Sequence, residues 1–375
     1  MIPDLRLETS VSRKSEILNH IILNLKSKDL ITAMTILFFK IILVLAVFGL
    51  TMLIAMYSTW AERKLSAVMQ DRVGPNRAGP MGLLQPLADG IKMFTKEELI
   101  PEGSNRFLFI IGPGIAMLTA LITGAVIPWG GDVSIGGESF ALQITDINIG
   151  VLYLFGVVSI GVYGIMIGGW ASNNKYSLLG ALRASSQMIS YEVAMGLSII
   201  SLVMMTGTLS LREIVAQQDA GFANVLYQPL AFLIFMICAF AETNRAPFDL
   251  PECETELIGG YHTEYSSMKL GLFLFAEYIN MFISSAIMVS FFWGGYNFPF
   301  QHELVLSPNA LATVQTVVFF LKVFGFIFLF MWVRWTLPRF RYDQLMNLGW
   351  KVLLPLSLLN IFVTGVVMYL TGKLN

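Results

Sequence analysis

Four ionisable residues, Lys40, Glu192, Glu277 and Lys322, interrupt or border stretches of sequence that are otherwise apolar. An ionised side chain at the centre of a membrane helix costs about 2.5–3.5 kcal/mol, so such groups turn toward a protein interior, a wet cavity or an interface. Glu192 follows Ser185-Ser186-Gln187 and adjoins Tyr191. That setting can hydrogen-bond a carboxyl group in either protonation state, which suits proton exchange and structural anchoring alike. Glu277, between Ala276 and Tyr278, has the same two readings. Lys40 and Lys322 can snorkel to the interface or pair with carboxylates.

Two polar segments are denser. In the first, Glu242-Thr243-Asn244-Arg245-Ala246-Pro247-Phe248-Asp249-Leu250-Pro251 leads into Glu252, Glu254 and Glu256. Pro247 and Pro251 forbid one uninterrupted helix, and Glu252 and Glu256 share a face wherever a helix resumes. Packed carboxylates repel when ionised, so proton uptake at one alters its neighbours; a solvated acidic loop is the plainer alternative. The second segment runs from Glu62-Arg63-Lys64 through Arg72-Val73-Gly74-Pro75-Asn76-Arg77 to Asp89, Lys92 and Lys96-Glu97-Glu98. Its Gly-Pro pairs mark turns, and Leu83, Leu84, Leu87, Ile91 and Phe94 form an amphipathic helical stripe. Asp89 and Lys92, three residues apart, can face one cavity. Such a helix at a membrane boundary suits a ligand with a polar head and an oily tail. Anionic-lipid contact and docking of a soluble partner are competing readings.

Membrane helices must hold these groups. Of 375 residues 55% are hydrophobic and only 13% charged, which excludes an ordinary water-covered enzyme. A formal charge of -1 argues against a nucleic-acid partner. Cys238 and Cys253 are too few for a disulfide scaffold or an iron–sulfur ligand set, and His20, His262 and His302 form no local metal motif, so no bound metal is expected. Gly74, Gly79 and Gly82 lack the strand and lysine of a nucleotide cradle.

Uncharged intervals span 21 residues between Lys40 and Glu62, 25 between Arg106 and Asp132, and 28 between Asp146 and Lys175. About 20 residues suffice to cross the hydrocarbon as a helix. Further spans are expected near 185–208, 222–241, 268–292, 313–335 and 350–371. This predicts an all-α polytopic membrane protein with eight transmembrane helices and an amphipathic cytoplasmic loop. Residues 1–30 are expected as an N-terminal arm or peripheral helix, and 31–375 as the membrane domain with cytoplasmic loops 60–106 and 242–267. The connections after spans one, three, five and seven carry 15 lysines and arginines and the opposite side seven, five of them in the N-terminal tail. That bias puts the first loop in the cytoplasm and both termini outside, although the basic tail opposes it. The apolar segment starts too late and runs too long for a signal peptide.

The runs Glu62-Arg63-Lys64, Arg72 to Arg77, Gly82-Leu83-Leu84-Gln85-Pro86-Leu87-Ala88-Asp89-Gly90-Ile91-Lys92, Tyr191-Glu192 and Glu242 to Glu252 closely resemble the ND1 (H-subunit) family of respiratory NADH:quinone oxidoreductase, complex I. The resemblance covers approximately 35–371. It implies a heel subunit of a proton-pumping enzyme, without autonomous activity, whose eight-helix core lines much of the quinone-access chamber. Arg63, Arg72, Asp89, Lys92, Arg245, Phe248 and Asp249 are thereby implied at that chamber. Glu192, Glu242, Glu252, Glu254, Glu256, Glu264 and Glu277 are implied on the proton-coupling path, and no catalytic residue is expected in this chain. Quinone is then the substrate, while NADH, flavin and iron–sulfur clusters belong to partner subunits. The implied partners are the peripheral-arm quinone-site subunits, the small membrane subunits and membrane lipids, in a bacterial inner membrane. Reduced quinone would change the protonation and position of the 245–256 loop, and the carboxylate series would relay that state. The alternatives are the membrane anchor of a related hydrogenase or ferredoxin-linked complex, and a proton-coupled secondary transporter. The motifs fit ubiquinone or menaquinone, and protons or sodium ions, alike.

Overall fold

A computed structural model describes residues 5–135, 138–219, 221–250, 257–299, 301–303 and 306–372, the side chains of 5–33 and 138 excepted. Glu252, Glu254 and Glu256 lie outside the described residues. In chain order the helices are α1 (Leu5–Met69), α2 (Gln85–Thr95), α3 (Arg106–Thr123), α4 (Gly150–Ala171), α5 (Lys175–Thr206) and α6 (Leu211–Gln217). They continue with α7 (Asn224–Tyr227), α8 (Pro229–Glu242), α9 (Ser267–Phe292), α10 (Pro308–Thr336), α11 (Tyr342–Asn347) and α12 (Leu354–Leu370). A π turn over Leu348–Leu353 joins the last two.

Seven helices among the described residues are long and apolar enough to cross a membrane, so the chain is a mostly α-helical, multi-pass membrane protein. Their ends follow from local chemistry. The side chains of Asn105, Asn174 and Ser307 accept backbone N–H groups at the starts of α3, α5 and α10. With Asn174 as its cap, α5 begins ten residues before the expected 185. The interval expected as a fifth span, 222–241, holds the short α7 and the 14-residue apolar α8, interrupted at Gln228. The all-helical expectation also needs correction. Asp132–Ile135 and Glu138–Ala141 form a two-stranded antiparallel hairpin, β1 and β2, with Asp132 opposite Ala141. The Arg212 guanidinium donates to both carboxylate oxygens of Asp132, and Asn309 both accepts from and donates to Ser134. Those ties supply partners that so short a ribbon lacks by itself.

The chain divides into two compact units, Met1–Ala46 and Val47–Asn375. In the first, the described side chains from Met34 onward are chiefly apolar and exposed, among them Leu37, Phe38 and Leu45. In the second, α9 is the central element, with Ile279, Phe282, Ala286, Met288 and Phe291 wholly buried. Around it α3 and α4 approach backbone to backbone. A Cβ on Gly112 would stand 2.9 Å from Gly168, and one on Gly164 would stand 2.7 Å from the Ala116 nitrogen. Small residues at such crossings allow the close packing on which membrane helices depend.

Candidate functional site

Two stripes at helical spacing run along α9. Met268, Gly271, Leu274, Phe275 and Tyr278 face one cavity, and Phe273, Ala276, Glu277, Asn280 and Ser284 face another. The first cavity has a volume of about 420 Å³ and also takes Met56, Thr59 and Arg63 from α1 and Leu87, Asp89 and Ile91 from α2. Its lining is thioether, aromatic and aliphatic. At its wall the Arg63 guanidinium meets Asp89 at 2.6 Å, and Gln85 donates to the other carboxylate oxygen at 3.1 Å. α2 is fastened to the start of α9 by the Ser267 hydroxyl, which donates to the Met93 carbonyl at 3.0 Å.

Tyr278 leads from this cavity into a buried charge cluster. Its hydroxyl donates to Glu62 at 3.0 Å, and the Arg245 guanidinium lies 3.9 Å over its ring. Glu62 also receives Arg245 and Arg334, each at 2.5 Å, one on each carboxylate oxygen. Burial opposes the Arg245 cation. Tyr278, Glu62 and Glu277 outweigh that burial and hold its pKa above the ordinary arginine value, so Arg245 stays charged. The loop carrying Arg245 is pinned from the α10–α11 turn. Arg339 pairs with Asp249 at 2.6 Å, the Phe340 N–H donates to the Pro247 carbonyl at 3.1 Å, and the Phe248 ring packs between Phe340 and Tyr191.

The second cavity is about 40 Å³, room for roughly three water molecules. Glu242, Glu277, Tyr261, Asn244, Asn280 and Thr123 give it a polar lining. The Tyr261 hydroxyl donates to Glu277 at 2.9 Å. Glu242 is buried, and its Oε2 makes no hydrogen bond within the described protein. Glu192 lies within electrostatic reach of Glu242 and accepts from the Ser159 hydroxyl.

The structure therefore gathers Glu192, Glu242 and Glu277 about one polar region, and Arg63 and Asp89 about the oily one. Arg245, Phe248 and Asp249 share one loop segment. Other expected residues lie apart. Arg72 is exposed and donates to Gln70, and Lys92 is exposed and does not line the cavity that Asp89 borders. Glu264 accepts from Asn174 at 2.6 Å in a surface groove with Pro101 and Tyr176. Sequence reasoning missed Glu62, Tyr261, Tyr278, Arg334 and Arg339 as site residues. For Tyr278 a signal existed, since it adjoins Glu277 of the polar stripe Glu277, Asn280, Ser284 and a tyrosine there needs a partner; Tyr261 lies 16 residues before Glu277 and had none. Glu62 had none, because its arginines lie 183 and 272 residues away. Among the described residues no three histidine, cysteine, aspartate or glutamate side chains converge as metal ligands.

The family model described as NADH dehydrogenase matches residues 40–365. A NADH-quinone oxidoreductase H-subunit protein of Cytophaga hutchinsonii is 70% identical over 326 residues, covering 87% of this chain and 95% of that protein. The H-subunit proteins of the same enzyme from Flavobacterium psychrophilum and Flavobacterium johnsoniae are 66% and 64% identical, each over 88% of this chain and over 97% and 94% of their own lengths.

Proposed function

The chain belongs to the ND1 (H-subunit) family of respiratory NADH:quinone oxidoreductase, complex I, and on that premise we propose that its oily cavity forms part of the quinone-access chamber and that its carboxylates couple quinone reduction to ion translocation. As a subunit of that enzyme complex it associates with the other complex I subunits. The observation that carries the coupling is the adjacency of Tyr278 and Glu277, consecutive residues that border the oily and the polar cavity respectively.

The apolar lining takes the isoprenoid tail of the substrate, and Arg63 and Asp89 form the polar part of the wall. Arg72 and Lys92 belong to the entrance, where partner subunits close over it. Two arginines on one glutamate leave the cluster behind Tyr278 with excess positive charge. That charge favours negative charge developing on a quinone oxygen. Arg245 also acts electrostatically on Glu277, so a shift of its loop alters the field there. Asp249 and Phe248 set the loop's position through Arg339, Phe340 and Tyr191. Glu242, Glu277 and Glu192, with water in the small cavity, carry the changed protonation onward; Glu252, Glu254 and Glu256 of the acidic loop, and Glu264, are assigned to the same proton-coupling path.

The eighth span is α7 with α8, a broken helix over 224–242. Alone, α8 is about 21 Å long, short of the roughly 30 Å hydrocarbon core. The break at Gln228 is buried, and its amide donates to Thr364 at 2.9 Å and accepts from Asn360 at 3.0 Å, the kind of protein partner a broken membrane helix requires. Residues 31–375 then form the eight-helix membrane domain behind an N-terminal arm of 1–30. α2 lies at the cytoplasmic boundary, and both termini are periplasmic. The bacterial relatives and the seven apolar helices support a multi-pass location in a bacterial inner membrane.

The test is Asp249→Asn in membranes, with assembly of the complex checked first. Donor-driven quinone reduction and ion transfer should both fall, with artificial-acceptor reduction upstream unchanged. Unchanged coupled turnover would remove Asp249 from the quinone step.

A further inference from the structure

Lys322 lies midway along α10, where sequence alone leaves it either snorkelling or pairing with a carboxylate. It does neither. Its ammonium donates to three backbone carbonyls, those of Trp293 at 2.8 Å, Gly295 at 2.9 Å and Asn297 at 2.5 Å. Among the described residues it forms no ion pair. These carbonyls belong to the turn that ends α9. Gly294 and Gly295 adopt φ of 73° and 55°, the left-handed region where a side chain is strained, and a Cβ on Gly295 would stand 2.6 Å from Val215.

The rest of that helix end is satisfied in the same thorough way. The Val289 carbonyl accepts from the N–H groups of Trp293 and Gly295, at 3.0 and 2.9 Å. Gln218 donates to Ser290 at 3.0 Å and accepts from the Gly294 N–H at 2.9 Å, and Asn224 donates to Phe291 at 2.8 Å. An ammonium has three donors and no acceptor, so three carbonyls use it completely. A cation is also favoured at a helix C-terminus by the partial negative charge gathered there.

We infer that Trp293, Gly295 and Asn297 form a carbonyl cage for a primary ammonium ion, which Lys322 supplies as a tethered ligand to lock the end of the helix carrying Glu277 and Tyr278. The cage selects for N–H donors in a compact tetrahedral head. Charge alone does not satisfy it. Arginine, with a planar fork, matches a carboxylate and not three converging carbonyls. The inference stands on this geometry and is independent of what the two cavities bind.

The experiment compares Lys322→Arg and Lys322→Ala in the assembled complex in native membranes, reading heat inactivation of quinone reductase activity. Both variants should inactivate faster on the order of tenfold, the weight of leaving carbonyls, two of them in partly buried bonds, without their donors. Ethylammonium chloride should restore Lys322→Ala and leave Lys322→Arg unchanged, while tetramethylammonium chloride at equal ionic strength, charged but without N–H groups, should restore neither. Wild-type stability of Lys322→Arg, or equal action of the two salts on Lys322→Ala, overturns the cage. If Lys322→Ala does not assemble, the amount of complex on native gels from cells grown with methylammonium or tetramethylammonium is the readout. Recovery with methylammonium alone supports the cage, and any other result overturns it.

Discussion

The two cavities beside α9 differ about tenfold in size and share no lining residue, yet they meet at consecutive positions of one helix. The larger is bounded by flexible methionine, leucine and phenylalanine side chains, with one ion pair at its wall. Surfaces of that kind adapt to an oily guest. The smaller holds two carboxylates and a tyrosine hydroxyl in a space that admits only a few waters. A small polar cavity responds to charge and proton position more than to shape, because its few hydrogen bonds are fixed. The buried Glu62 cluster joins the larger cavity through Tyr278, which lines that cavity and donates to Glu62. The difference teaches that an oily cavity and a polar one can be built on adjacent faces of one helix, with a buried charge cluster beside them.

The strongest way to break this division is to remove the cluster's central cation. Arg245→Met leaves a buried Glu62 oxygen without its guanidinium and strips the cation from Tyr278. Losing one partner of a buried pair carries a large penalty, so turnover per assembled complex should fall on the order of a hundredfold. Adding Glu62→Gln should recover assembly, since the amide oxygen still accepts from Arg334, but should not recover turnover. A double variant with wild-type turnover would show the cluster to be scaffolding only. A milder test concerns the polar side alone. Tyr261→Phe deletes the hydroxyl that donates to Glu277, a hydrogen bond whose loss is worth on the order of tenfold. Ion transfer per electron should drop by that order while KM for quinone stays put; a raised KM with normal ion transfer would mean that the two cavities are not functionally separate.

How much of this was legible depended on the range over which each signal acts. Spans announced themselves because lipid forbids charge over about 20 consecutive residues, and seven of the expected eight are long apolar helices. The interval 222–241 was apolar enough, but sequence hydropathy does not register a break at Gln228 whose partners Thr364 and Asn360 lie over a hundred residues away. The hairpin was hidden for a similar reason: its strands are short, and Arg212 and Asn309 hold it from afar. Helical spacing puts Asp89 and Lys92 toward one cavity, yet only Asp89 borders it and Lys92 is exposed, since spacing on a helix defines an angle and not which neighbour fills it. Glu62 sat inside a quoted motif without a role, because only folding brings Arg245 and Arg334 to it.

The smallest effect is expected from the oily side, and it sharpens the comparison by its dependence on substrate length. Leu274 is half-buried in the cavity wall, on the same face of α9 as Tyr278. Leu274→Ala removes apolar contact without touching a charged group, so only contacts shared by bound substrate and transition state are lost, and KM should rise while kcat holds. Three carbons of a half-buried side chain correspond to about a fivefold rise for a long-tailed quinone. A short-chain quinone that does not reach Leu274 should show no change, and ion transfer per electron should be that of the unaltered complex with either substrate. Equal KM shifts for long and short tails would mean that Leu274 acts through the fold rather than on the tail, and the division of labour between the two faces of α9 would then have to be redrawn.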